Sequence, residues 1–281
     1  MDRKFIDLFD RFTHGAMPRR DFIERLALLA GGTAAAGAFL PILENNYAHA
    51  DTVAEDDPRL RTEMPAIAEK MGGYLAFPQA GDRLPGVIVI HENRGLNPHI
   101  RDVTRRLALE GFVAYAPDYL YGLGGTPEDA DQARDMIGTL KPGDILAVSR
   151  ASLKAIVKHP RCNGKVGAVG FCWGGGQVNA LAVADPALAA AVAYYGSQPK
   201  ADVENIKAPL LLHYAGLDER VNAGIGAFEQ ALKAGNKTYE LYVYEGANHA
   251  FNNDTNAARY NKAAADLAWS RTVAFLKKHA G

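Results

Sequence analysis

Gly170-Phe171-Cys172-Trp173-Gly174 reads Gly-x-Cys-x-Gly. It follows Lys165-Val166-Gly167-Ala168-Val169, a short apolar run with β-branched residues, and precedes a small-residue segment able to start a helix. Strand, sharp turn and helix in that order make a nucleophile elbow, here with cysteine where serine is usual. The flanking glycines remove Cβ clashes where the chain doubles back. The turn lifts the Cys172 sulfur to a helix N-terminus, where the helix dipole favours negative charge. One motif therefore points to both a fold and a covalent mechanism.

Outward from the elbow, strands and helices alternate. Gly73–Phe77, Gly86–His91, Phe112–Ala116, Ala189–Tyr195, Pro209–Ala215 and Thr238–Tyr244 read as strands. Asn97–Glu110, Thr126–Leu140, Gly143–His159, Val221–Lys233 and Asn256–His279 read as helices, and residues 51–70 as a loose segment draped over the surface. Near-continuous apolar strands separated by helices predict an α/β fold: a mostly parallel central sheet with helices on both faces. Active sites of such sheets lie at the carboxyl ends of the strands.

An elbow cysteine needs a base to take its proton and a carboxylate to orient that base. The expected chain order is nucleophile, acid, histidine. Asp218 follows the strand ending at Ala215 within Gly216-Leu217-Asp218-Glu219, and His249 follows the strand ending at Tyr244 within Gly246-Ala247-Asn248-His249. Cys172 is read as nucleophile, His249 as base and Asp218 as the orienting carboxylate, with Glu219 as its competitor. Taken singly, each has a bland reading: a buried small hydrophobe, a loop histidine, a helix cap. Their order and flanking elements favour the joint one. His213, inside a strand, reads as a buried hydrogen-bonded residue. The backbone N–H groups of Trp173 and Asn93 are the expected oxyanion donors, the second from the loop Glu92-Asn93-Arg94-Gly95.

The chain resembles the dienelactone hydrolase (carboxymethylenebutenolidase) family over residues 72–278. The matching segments are His91-Glu92-Asn93-Arg94-Gly95, Gly111 to Tyr119, Gly164 to Gly167 leading into the elbow, Tyr194-Tyr195-Gly196, and Gly246 to Phe251. The resemblance implies a compact α/β-hydrolase fold and a Cys-Asp-His triad at Cys172, Asp218 and His249. It implies opening of an enol-lactone ring, with no metal or cofactor. It also implies a part for Glu92, whose family counterpart meets the resting thiol and helps form the thiolate when substrate shifts it; the bland reading pairs Glu92 with Arg94 or Arg101. The chain departs from the family at the substrate end. Asn253 stands four residues after His249, where chlorocatechol-pathway members have an arginine that clamps the substrate carboxylate, and an amide lacks that charged fork. Arg94 and Arg134 are the candidate replacements, and Asn253 itself is a candidate substrate contact.

Residues 1–50 read as a leader, with the hydrolase domain at 51–281. Arg19-Arg20-Asp21-Phe22-Ile23 resembles a twin-arginine export signature, Leu26 to Leu43 is mildly apolar, and Ala48-His49-Ala50 is a small-x-small cleavage signal. The expected partner during export is the twin-arginine translocase, and the expected location is periplasmic or secreted, without stable membrane association after cleavage. The bland alternatives are an N-terminal membrane helix, which Gly31, Gly32, Gly37 and Pro41 weaken, and a cytosolic protein whose Arg19-Arg20 pair carries no signal. Six basic and six acidic residues lie in the leader, which leaves 25 Lys and Arg against 26 Asp and Glu. That balance argues against nucleic acid or an anionic membrane surface as partner. Cys162 and Cys172 flank one strand and are too far apart for a disulfide.

The expectation is a cysteine-dependent hydrolase of a small-molecule ester or lactone. A broad carboxylesterase or thioesterase on the same scaffold is the enzymatic alternative. A non-catalytic ligand-binding protein of the same fold is the alternative of another class.

Overall fold

Along β4 (Leu84–Ile90), Val87 and Val89 face one side of the sheet and Ile88 and Ile90 the other, all fully buried. The same two-residue period in β5 (Val113–Pro117), β6 (Cys162–Phe171), β7 (Ala190–Tyr194) and β8 (Leu210–Ala215) builds two cores. α4 (Pro98–Leu109) and α10 (Lys262–Ala280) cover the first through Ile100, Val103, Leu107, Phe275 and Leu276. α6 (Pro142–Val157), α7 (Trp173–Ala184), the short α8 (Glu219–Asn222) and α9 (Ile225–Ala234) cover the second.

The computed structural model describes every residue from 1 to 281 except Ala16; the side chain of His49, within the expected cleavage signal, also lies outside the described residues. The sheet order is β1 (Leu60–Glu63), β3 (Met71–Pro78), β5, β4, β6, β7, β8 and β9 (Tyr239–Tyr244), with β2 (Ala66–Ala68) off this path and paired with β3. From β5 through β9 the neighbours are parallel, whereas β3 joins β5 antiparallel. The α/β expectation and the strand positions hold.

Three local expectations are corrected. Residues 51–70 are not a loose drape: β1 (Leu60–Glu63) and β2 (Ala66–Ala68) pair antiparallel with β3. Ahead of them, the Val53 N–H donates to Asp102 at 2.7 Å and the buried Arg105 donates to the Val53 carbonyl at 2.7 Å. The helix expected from Thr126 is α5 (Ala130–Gly138), because Asp118 accepts hydrogen bonds from the Thr126 N–H and hydroxyl and holds a turn, and Asp129 caps the helix later. The closing helix begins at Lys262 rather than Asn256. Asn253, Asn256 and Asn261 bond to nearby backbone and make turns before Asn261 caps it.

Residues 3–14, 19–30 and 33–43 form α1 (Arg3–His14), α2 (Arg19–Ala30) and α3 (Thr33–Leu43). They share a small core of Phe5, Leu8, Phe9, Phe12, Phe22, Leu26 and Leu43, with Phe12 stacked on Phe22 at 4.5 Å. The segment is tied to the domain: Arg259 donates to Asp10 at 2.8 Å, Asn256 donates to the Leu43 carbonyl at 2.7 Å, and the Asn46 N–H donates to the Thr255 carbonyl at 2.7 Å. Among the described residues no single helix is long and apolar enough to cross a membrane. α2 and α3 reach that length and composition only together, bent by 112°.

Candidate active site

β6 runs into α7 through Cys172, whose φ is 56°. A non-glycine residue held there stores backbone strain, and the surroundings enforce it. The Cys172 N–H donates to the Tyr194 carbonyl at 3.0 Å. A Cβ on Gly170 would lie 2.2 Å from the Gly174 carbonyl oxygen, and one on Gly174 2.2 Å from the Ile90 carbonyl oxygen. The elbow glycines therefore serve backbone approach between β4, β6 and α7.

Asp218 follows β8 and His249 follows β9, so both reach the carboxyl end of the sheet beside the elbow. The Asp218 carboxylate is hydrogen-bonded to His249 Nδ1, while its other oxygen accepts the Val221 N–H at 3.1 Å. Glu219, the competitor, has a side chain 88% exposed and pairs with Arg3, so it does not hold the imidazole. His249 Nε2 is buried and has no hydrogen-bond partner among the described residues. Burial opposes charge on this ring, but attraction to Cys172 and the Asp218 hydrogen bond outweigh it and push the pKa up to about 10. Burial also opposes charge on Asp218, and the bond to His249 reverses that and holds its pKa below the ordinary value.

A histidine that sequence reasoning assigned to the leader sits at the sulfur. His14 Nε2 lies 3.2 Å from Cys172 Sγ, and the rings of His14 and His249 meet edge to face at 4.5 Å. The Asn93 side-chain amide donates to the Thr13 carbonyl at 2.8 Å, fixing the end of α1 over the elbow. Burial, reinforced by the neighbouring charges of His249, Arg220 and Arg259, pushes the His14 pKa well below its ordinary value and keeps the ring neutral. Nothing local in the sequence marks this approach.

Asn93, Cys172, Trp173, His249 and His14 line one cavity of about 570 Å³. Trp173 is the first residue of α7, so its N–H has no partner within the helix. Glu92 is buried and accepts a hydrogen bond from Asn253 at 2.8 Å. Among the described residues it makes no ion pair with Arg94 or Arg101. Asn253 is fully buried behind Glu92 and is not among the cavity-lining residues. Arg94 is also turned away from the 570 Å³ cavity, 3.7 Å from Asp131 and against the Phe9 ring. Two other arginines line that cavity. Arg134 lies on Phe12 and pairs with Asp131 and Asp135, and Arg220 makes no ion pair among the described residues. Arg220 stands two residues past Asp218, a position from which its approach could have been read. His213 is buried as expected, bonded to Thr272 and Tyr244, its pKa pushed down to about 3 by burial.

The dienelactone hydrolase family profile matches residues 71–280. A protein of Escherichia coli O157:H7 named "Putative carboxymethylenebutenolidase" is 38% identical over 242 residues, covering 78% of this chain and 87% of its own. A crystal structure described as "Putative Dienelactone Hydrolase" from Klebsiella pneumoniae has 32% identity and a TM-score of 0.71, covering 78% of this chain and 98% of that one. A dienelactone hydrolase of Anabaena variabilis shares the fold at 21% identity and TM-score 0.61, covering 79% of this chain and all of its own. With the elbow at Cys172 and the flanking strands in their places, the chain belongs to the dienelactone hydrolase family.

Proposed function

We propose that the chain hydrolyses ester or lactone bonds through Cys172. The observation that carries this reading is the line from Asp218 to His249 Nδ1, with the opposite ring nitrogen turned toward the elbow sulfur. His249 takes the thiol proton, and the thiolate attacks the acyl carbon. The N–H groups of Trp173 and Asn93 receive the developing oxyanion. Collapse breaks the acyl carbon–oxygen bond, the leaving oxygen takes the proton from His249, and a thioester remains. Water, deprotonated by His249, then releases the acid and the thiol. A leaving enolate suits this route. An unprotonated amine leaves less readily than the thiolate, which ranks amides below esters. Glu92, held by Asn253 and near Cys172, is the group that adjusts the thiol when substrate enters. Arg220, facing the cavity without an ion pair, fits a substrate that carries a carboxylate.

Quenching the enzyme during turnover of an aryl ester and of an enol-lactone, followed by mass spectrometry, tests this. The expected result is an acyl adduct on the peptide bearing Cys172 and none on Cys162. Turnover with the adduct on another side chain refutes it.

We also infer that the first fifty residues direct export. Arg20 is exposed, and Leu28 and Ile42 of α2 and α3 present bare apolar side chains, as a segment read by another machine should. N-terminal sequencing of the protein recovered from the periplasm or medium should begin at Asp51. Recovery of an intact Met1 chain from the cytoplasm alone overturns the inference.

A further inference from the structure

His14, Cys172 and His249 each offer one ligand atom, and the three atoms lie within 4.8 Å of one another. Both imidazoles are set up as ligands. His14 Nδ1 lies 3.0 Å from both the Asp10 carbonyl and the Thr13 hydroxyl; the carbonyl can only accept and the hydroxyl can accept as well, which favours the proton on Nδ1 and leaves the Nε2 lone pair facing the sulfur. His249 is held the same way, with Nδ1 on the Asp218 carboxylate and a buried, unpartnered Nε2. A carbonyl or carboxylate behind each ring is the usual support of a metal-bound histidine, because it fixes the tautomer and raises ligand basicity. Two imidazoles and a thiolate form a donor set that favours zinc-class ions over calcium or magnesium. In a tetrahedral zinc site, neighbouring ligand atoms stand roughly 3.3–3.6 Å apart. The 3.2 Å between His14 and Cys172 is close to that edge. All three residues line the 570 Å³ cavity, from which a fourth ligand could come.

We propose that the uncleaved chain binds one zinc-class divalent cation between His14, Cys172 and His249, holding the nucleophile as a metal-bound thiolate. The sulfur–metal and His249–metal bonds form as the one proton shared by the Cys172 sulfur and His249 Nε2 passes to solvent, and no redox partner is needed. Asp218 and Glu92 offset the positive charge of the nearby Arg220 and of Arg259, which is already paired with Asp10. Because His14 lies in the leader, cleavage after Ala50 would remove one ligand and free the sulfur. The block on catalysis rests on the hydrolase reading; the binding does not.

The test uses the full chain, freed of metal with a chelator and titrated with Co²⁺ as a spectroscopic stand-in for Zn²⁺. The expected result is one Co²⁺ per chain with a sulfur-to-cobalt charge-transfer band, displaced by Zn²⁺. Cys172→Ser should lose the band with its circular dichroism unchanged. His14→Ala and His249→Ala should each weaken binding at least about tenfold. Added Zn²⁺ should raise the Tm of the parent and leave that of Cys172→Ser unmoved. Absence of saturable binding, binding without the band, or His14→Ala binding as tightly as the parent overturns the proposal. Cobalt bound through Cys172 in a chain that hydrolyses no ester or lactone even after the metal is stripped would refute the function and leave the site standing.

Discussion

Cys172→Ala is expected to reduce ester and lactone turnover by about 10⁴-fold or more, the scale seen when a covalent nucleophile is removed from a triad. Folding should survive. Alanine occupies the same φ of 56° with no larger side chain, so the elbow strain is unchanged and no clash is added. A second readout isolates the sulfur. Cys172 is the leading group that raises the His249 pKa to about 10, against the opposing effect of burial. A pKa raised from 6.5 contributes stability that is fully present below pH 6.5 and is lost as pH rises through about 10. Removing the sulfur should flatten that alkaline decline. His14 acts in the opposite sense: its lowered pKa means that stability falls as pH drops below 6.5, when the unfolded ring takes a proton that the folded one refuses. That acid limb should persist in Cys172→Ala. Turnover of p-nitrophenyl acetate and Tm from pH 5 to 10 check both parts, and wild-type turnover in the variant ends the covalent mechanism.

The elbow and the strand positions were readable because their causes are local. Gly170 and Gly174 sit where backbone approaches backbone, and Val87 to Ile90 are apolar on every position of a strand buried on both faces. The relation of Asp218 to His249 was readable because each follows a strand, and parallel neighbours end at the same edge of the sheet. Helix starts were less legible. At Thr126 and Asn256, Asp118 and the asparagine side chains bond to the backbone and delay the helix. β1 and β2 were missed because strands of three or four residues are decided by their partner β3 rather than by their own pattern. The contact of His14 with Cys172 joins residues 158 apart and has no local signature. The pairing of Asn253 with Glu92 is of the same kind, and it explains why an amide at that position is compatible with this fold: it holds a buried carboxylate.

Asp218→Asn should lower kcat by about 10⁴-fold with little change in KM, by analogy with the loss of the orienting carboxylate in serine triads. The carboxylate accepts from His249 Nδ1 and places the proton there, leaving Nε2 to face the sulfur. An asparagine can turn its NH₂ toward Nδ1, which then accepts, so the ring proton moves to Nε2 and the base is lost. The other oxygen of residue 218 accepts the Val221 N–H at 3.1 Å, a cap that the asparagine carbonyl can keep in that rotamer. The local turn should therefore hold while the tautomer fails. The imidazole pKa should fall from about 10, since both the hydrogen bond and the charge of Asp218 help to raise it. Stability lost on the alkaline side should then disappear at a lower pH than in the parent. Asp218→Glu keeps the charge but moves it by one methylene in a buried setting, and should recover part of the pKa shift with little of the rate. A kcat/KM profile against pH, with imidazole titration followed by NMR, separates the two effects. An Asp218→Asn enzyme with parental kcat and an unmoved His249 titration would show that the carboxylate neither orients the base nor supports its charge.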